Sequence, residues 1–431
     1  MPIKLRDFIS PYPYKQTALA LISAKSIFEA FLNWRQYRKL SKTSSLPDEL
    51  KDMKITDEEF LNARQFTRKL VKYELLLGLA TFALYWVMLH FDYFPKVWEY
   101  CGSFLKYWNL DPNNDYFRAT AFMIIEVMRE KVVALPFLCY KNFRIEQLYK
   151  KNFIAFLAEE VISLITRVSI IVVLLNVILW ALYLGGQRAH VYAGMALILA
   201  YSLVKCVYPK FVSPMLNKFY ELEDGPLRQE IIKLSERAKF PLRNIYYVDS
   251  FTRSEHSECY FFGFGNRINL VLFDTLIHQL NNDEALACIS HQMAHWKGNH
   301  NFKLAMLTFI EILALVYLYG IISNNDLLAY SFGFSQNSAF IGLFLFSIYL
   351  SPLSFIFDLC AILLQRKFEF TADAYSLALG QVKGLESAIK KVSHDNLGEV
   401  DSDHLYAAFT HSYPTLLDRI RNLKKLEAKH R

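Results

Sequence analysis

The chain has 431 residues with a formal net charge of +7; 53% of them are hydrophobic, 16% aromatic and 21% charged, including 35 Phe and 26 Tyr. That balance is too apolar for an ordinary soluble enzyme and places much of the chain in a lipid bilayer. No Lys/Arg-rich element interleaved with aromatics is present, so the modest positive charge excludes a nucleic-acid partner and suits basic anchoring loops.

Lys4, Arg6 and Lys15 precede the first apolar stretch, which Lys25 and Glu29 interrupt and which no small-residue cleavage site follows. It reads as an uncleaved span rather than a signal peptide. Seven segments have the roughly twenty residues that a bilayer-crossing helix needs; they lie near residues 16–34, 73–95, 117–140, 168–185, 190–208, 303–323 and 338–363. The third holds Arg118, Glu126, Arg129, Glu130 and Lys131. It is either a soluble helix or a span whose charges face a watery interior or pair with one another.

Loop charge alternates along this series. The first loop carries Arg35, Arg38, Lys39, Lys42, Lys51, Lys54, Arg64, Arg68, Lys69 and Lys72, and the third Lys141, Arg144, Lys150, Lys151 and Arg167. The second has little beyond Lys96 and Lys106, the Gly185-Gly186 turn only Arg188, and residues 323–338 no Lys or Arg. Because short cytoplasmic loops are rich in Lys and Arg, this predicts a lumenal N-terminus with residues 209–302 and 364–431 in the cytosol. The six cysteines (Cys101, Cys139, Cys206, Cys259, Cys288, Cys360) have no CxxC spacing and read as free thiols filling apolar space.

The expected organisation is therefore residues 1–208 with five spans, 209–302 as a cytosolic segment, 303–363 with two more spans, and 364–431 as a cytosolic C-terminal segment. Within the first cytosolic segment, residues 227–238 have helical periodicity, 244–248 (NIYYV) are β-rich, 259–264 are aromatic-rich, and 268–273 (INLVLF) follow Gly265-Asn266, which predicts a hairpin. Asn281 with Glu284 three residues on is a capping-box start for a helix through His295.

On that helix His291 and His295 are four residues apart and share a face, so both imidazoles can reach one metal ion. Two histidines at this spacing also simply cover a polar face, and both readings stand on the spacing alone. Glu369 after the last apolar segment offers a third ligand, and Asp373 lies one turn further along. Three protein ligands with a fourth position left to water are the pattern of a catalytic zinc site, where a nearby carboxylate commonly holds a ligand histidine in its tautomer.

Across nearly its whole length the chain resembles the type I CAAX prenyl proteases, membrane zinc metalloproteases that act on farnesylated proteins such as prelamin A. The resemblance rests on Glu29 with the basic run 35–39, on 211–219 (FVSPMLNKF), on His256-Ser257 with Tyr260, and on 271–276 (VLFDTL). It continues through 295–297 (HWK), Ser351-Pro352, 368–370 (FEF) with 372–374 (ADA), 395–398 (DNLG), and Leu416-Leu417 with Arg419. It implies a mainly α, polytopic protein of about seven transmembrane helices around a hydrated chamber, plus a small cytosolic α+β metalloprotease domain. One Zn2+ would be held by His291, His295 and Glu369, with Asp373 and Arg419 beside it. Prenylated or amphipathic C-terminal peptides would be its substrates or ligands, at the endoplasmic reticulum membrane with the site approached from the cytosolic side.

Three separate segments depart from the family pattern. The family helix reads HExxH, and its glutamate takes the proton from the attacking water; here that position is Gln292, with Ser290, Met293 and Ala294 where small residues, usually glycine, are the rule. An amide has no useful basicity, so a general-base contribution of roughly 100- to 10,000-fold is lost. The family's HSNAY-like strand, whose asparagine bonds substrate backbone, reads His256-Ser257-Glu258-Cys259-Tyr260, and an ionised Glu258 cannot donate. The oxyanion-stabilising histidine of an HSHP-like turn is replaced by Tyr413, whose hydroxyl still donates. Either the chain is a diverged family member that is a weak protease or a zinc-binding pseudoprotease, or Gln292 alone is an engineered change.

Overall fold

A computed structural model describes residues 13–42, 46–53, 56–146, 152–207, 219–248, 259–264, 267–323, 325–392 and 400–430. Residues 211–218, His256-Ser257, Glu258, the Gly265-Asn266 turn and residues 395–398 lie outside them. The chain forms two compact units: one of Met1–Trp34, Lys69–Leu197 and Ile310–Ile356, the other of Arg35–Arg68, Ile198–Phe309 and Phe357–Arg431.

All seven long apolar segments are helical. They correspond to α1 (Tyr14–Ser41), α2 (Asp57–His90), α4 (Asp115–Tyr140), α5 (Phe153–Gly185), α6 (Ala189–Val207), α10 (His300–Ser323) and α12 (Ala339–Ala378). Among the described residues α2, α5, α10 and α12 are long and apolar enough to cross a membrane by length and composition alone. The predicted second span, 73–95, ends early: α2 stops at His90, Asp92 takes a left-handed conformation (φ 52°), and a separate helix α3 (Tyr93–Tyr107) begins. Periodicity alone cannot see this break, because both flanks are equally apolar.

The first unit packs on aromatic rings. Phe122 of α4 meets Phe340 and Phe344 of α12 edge-on at 5.3 and 5.2 Å, and Trp98 of α3 stacks on Phe340 at 5.2 Å. The charges of α4 are paired: Arg129 with Glu126 at 2.8 Å, Arg167 with Glu130 at 2.9 Å, and Lys131 with Glu160. Arg118 donates to the Trp98 carbonyl (2.9 Å) and lies over that indole ring. Gly102 leaves it room, since a Cβ there would sit 3.2 Å from the guanidinium.

The second unit holds a four-stranded sheet of β1 (Phe219–Glu221), β2 (Leu242–Val248), β3 (Cys259–Phe264) and β4 (Arg267–Phe273), in the order β1-β2-β4-β3. β3 and β4 are antiparallel, as the hairpin reading expects, with Tyr260 opposite Val271; β2 and β4 run parallel. Alternation on β4 buries Ile268, Leu270 and Leu272, which pack with Ile231 and Leu234 of α7 (Pro226–Arg237) and with Leu276 of α8 (Asp274–Gln279). The same core takes in Ile289 and Met293 of α9 (Asn282–Lys297). α11 (Asp326–Ser331), α13 (Val382–Val392), α14 (His404–Thr410) and α15 (Leu416–His430) complete the order.

Candidate metal centre

The helix that carries both histidines starts where the sequence places it. The Asn281 side chain accepts from the Glu284 N–H, and the Glu284 carboxylate accepts from the Asn281 N–H, each at 2.9 Å. This capping box satisfies donors that a helix start otherwise leaves open. Gly384 of α13 allows close packing against α9, because a Cβ there would lie 2.6 Å from the Asp283 carbonyl oxygen. Ser290, Met293 and Ala294, the departures from the family's small residues, are all buried in this packing. Ser290 exchanges a hydrogen bond with Ser376 of α12, which fixes one helix against the other.

His291, His295 and Glu369 form the group that could hold a metal ion. The His291 and His295 Nε2 atoms are 3.1 Å apart, and each lies 3.3 Å from one oxygen of Glu369. Ligand atoms on a tetrahedral zinc with bonds of about 2.0–2.1 Å are separated by about 3.3–3.4 Å. Glu369 presents Oε2 to His291 and Oε1 to His295, so two imidazoles and a carboxylate stand at separations that fit the donor set of a zinc site.

Asp373 is fully buried one turn beyond Glu369 and takes the other nitrogen of His291, Nδ1 to Oδ1, at 3.0 Å. Arg419 of α15 donates to the same carboxylate through Nη2 and Nε, at 2.6 and 3.0 Å, and its Nη1 reaches to 3.7 Å from Glu369. Burial opposes a charge on His291, but its hydrogen bonds to Asp373 and Glu369 prevail and raise its pKa. Burial likewise opposes the Arg419 charge and the Asp373 carboxylate overrides it. On the far side, His295 Nδ1 lies 3.1 Å from Nδ1 of His300, a contact that the histidine spacing does not single out.

A cavity of about 400 Å³ opens over His291 and Glu369 and is lined by Cys259, Tyr260, Gln292, Tyr413 and Arg419. The fold thus brings together the described site residues from β3, α9, α12 and the segments around α15; Glu258 lies outside the described residues. Arg366 donates to the Tyr413 and Ala407 carbonyls at 3.2 Å and so holds the turn that carries Tyr413. Leu276, Leu385, Ala388, Ile389 and Val392 add an apolar wall that site reasoning from the sequence misses. Its signal is the 385, 388, 389, 392 spacing of one helical face. Cys288 lines the cavity too, and burial pushes its thiol up to about 12, so it stays protonated.

An HxxxH helix joined by a carboxylate from a second helix, on a chain with membrane-length apolar helices, defines a membrane metallopeptidase scaffold. Comparison with known proteins agrees. The family described as "CAAX prenyl protease N-terminal, five membrane helices" matches residues 36–218, and Peptidase family M48 matches residues 221–427. The "CAAX prenyl protease 1 homolog" of Arabidopsis thaliana is 31% identical, over 95% of this chain and 97% of the relative. That of Homo sapiens is 26% identical over 93% of each. The crystal structure of S. mikatae Ste24p superposes with a TM-score of 0.75 at 28% identity, covering 96% of this chain and 99% of that one. The chain belongs to the CAAX prenyl protease family and is a multi-pass membrane protein of the metallopeptidase class.

Proposed function

We propose that this chain is a zinc metallopeptidase of the CAAX prenyl protease type which binds the C-terminal peptide of prenylated or amphipathic proteins and hydrolyses it weakly. The observation that carries this reading is Gln292, an amide at the general-base position, lining the same cavity as His291 and Glu369. Residues 209–302 and 364–431 would face the cytosol at the endoplasmic reticulum membrane, with the N-terminus lumenal, as the loop charges suggest.

Each residue then has a task. His291, His295 and Glu369 hold one zinc ion, which when bound supplies Lewis acidity toward the scissile carbonyl and lowers the pKa of water. Asp373 and Arg419 keep His291 oriented for it. Strand β3 is at the edge of the described sheet, and its residues Cys259 and Tyr260 line the cavity, so an extended peptide can pair there. The α13 wall accepts apolar side chains, and the Tyr413 hydroxyl donates to the developing oxyanion. The Gln292 amide can hydrogen-bond the attacking water but cannot take its proton, which removes roughly 100- to 10,000-fold in rate.

A second reading, a pseudoprotease that binds such peptides without cleaving them, is favoured by Glu258 standing with Gln292 against the family pattern. Zinc analysis of the purified chain and cleavage of a farnesylated CAAX peptide, compared with Gln292→Glu, separate the two. Slow cleavage abolished by chelator and accelerated in Gln292→Glu is the expected result. No cleavage by the unmodified chain favours the pseudoprotease, and absence of stoichiometric zinc overturns both.

A further inference from the structure

His291 is oriented by a buried carboxylate, whereas no carboxylate contacts Nδ1 of His295 among the described residues. We infer that His300 orients His295 instead, holding its proton on Nδ1 so that Nε2 is free for the metal, and that Gly298 is needed as glycine to admit the His300 ring. This rests on the zinc reading of the site.

The argument begins with tautomers. A neutral imidazole offers a lone pair to a metal at one nitrogen only when its proton is on the other. Nε2 of His295 faces His291 and Glu369, so the proton belongs on Nδ1, 3.1 Å from Nδ1 of His300. The His295 Nδ1–H donates, and His300 accepts as the Nε2–H tautomer.

The position of His300 is well determined. Its ring is 3% exposed, stacks on Phe368 at 4.0 Å with 6° between planes, and meets the His295 ring edge-on. Phe368 directly precedes Glu369, so the His300 ring spans from one ligand's imidazole to the neighbour of another ligand. The backbone delivers it there by a tight reversal: α9 ends at Lys297, Asn299 is left-handed (φ 51°), and α10 begins at His300. Gly298 itself has φ −75°, which any residue adopts. What a side chain there would meet is His300: a Cβ would lie 2.3 Å from its Nε2 and 2.6 Å from its Cδ2. Glycine at 298 is required by the imidazole and not by the backbone.

The test is a competition titration of zinc against a chromophoric chelator, on the full chain in detergent, for the unmodified protein and for His300→Phe, His300→Gln, Gly298→Ala and the Gly298→Ala/His300→Phe pair. His300→Phe keeps the stack on Phe368 and loses the acceptor; removing such a partner typically weakens metal affinity about 10- to 100-fold. Gly298→Ala removes no polar group and weakens binding by displacing the ring. The pair is no weaker than His300→Phe, since both changes act through one hydrogen bond, and His300→Gln, whose carbonyl accepts, recovers part of the loss. The visible bands of the cobalt-loaded protein shift in the weakened variants. Unchanged affinity in His300→Phe, additive losses in the pair, or two zinc ions per unmodified chain overturn the inference while leaving the zinc site standing. If the unmodified chain binds no zinc, the reading of the site fails and this falls with it. Should His300→Phe not fold, Gly298→Ala against the unmodified chain decides.

Discussion

At the scale of single residues, the proposed centre would combine a His-His-Glu donor set with an amide, Gln292, at the general-base position. Metal affinity and turnover therefore respond to different substitutions. Gln292→Glu should raise peptide hydrolysis by roughly 100- to 10,000-fold, measured as initial rate on a farnesylated peptide, with zinc stoichiometry unchanged. Arg419→Ala should do the opposite. It strips both guanidinium hydrogen bonds from the fully buried Asp373 carboxylate, and breaking a buried pair from one side costs about 3–5 kcal/mol. The expected outcome is a clearly lower thermal midpoint and weaker zinc binding, whichever residue occupies 292. An unaltered midpoint would mean that Asp373 finds another partner.

At the scale of elements, α9 is positioned by its first turn and by its fit to α13. Asn281→Ala should destabilise the second unit by about 1 kcal/mol, as loss of an N-cap does, detected as a lower unfolding midpoint. The partner carboxylate makes this pH-dependent. Burial raises the Glu284 carboxyl, but hydrogen bonds from Lys391, Ser387 and the Asn281 N–H prevail and hold it below its ordinary 4.5. A folded-state pKa below the unfolded value contributes stability that is present above the unfolded value and is lost as pH falls through the folded one. The gap in thermal midpoint between the unmodified chain and Glu284→Gln should accordingly be full at neutral pH and close as pH falls below about 4.5. A gap that stays constant with pH would show that shape and not charge matters at this position.

At the scale of the whole molecule, charge pairing bears on topology. Arg35 makes two 3.0 Å hydrogen bonds to Asp403, Lys39 contacts Asp401 at 2.6 Å, Lys390 meets Asp52 at 2.6 Å, and Arg421 meets Glu49 at 2.8 Å. Residues 35–64 and 390–421 therefore share one side of the membrane, and an even number of spans must separate them. The four helices long and apolar enough to cross, α2, α5, α10 and α12, are already even in number, so α4 and α6 cross together or not at all. The pairing of the α4 charges, within the helix and with α5, suits a crossing, since ion pairs lower the expense of such groups at depth. A glycosylation acceptor engineered at residues 111–113 should be modified in microsomes, and one placed at 46–53 should not. The reverse pattern would invert the proposed orientation.

How much of this is legible in the sequence follows from the range of the interactions involved. Hydropathy marks all seven helical segments, Asn281 and Glu284 mark the start of α9, and alternation marks β4, because each of these depends on neighbours within a turn or a strand. His291 and His295 share a face by helical geometry alone. Contacts across the chain are not encoded so locally. The left-handed break at Asp92, the apolar wall of α13, the approach of Arg419 to Asp373 over 46 residues and the fold-back of His300 onto His295 all depend on how separate elements pack. The sequence by itself determined the candidate donor types, the amide at position 292 and the membrane character of the chain. Only the tertiary structure decided that Glu369 meets both imidazoles and that Asp373 and His300 stand at the second nitrogens of His291 and His295, because those distances are set by packing between helices rather than by spacing along one of them.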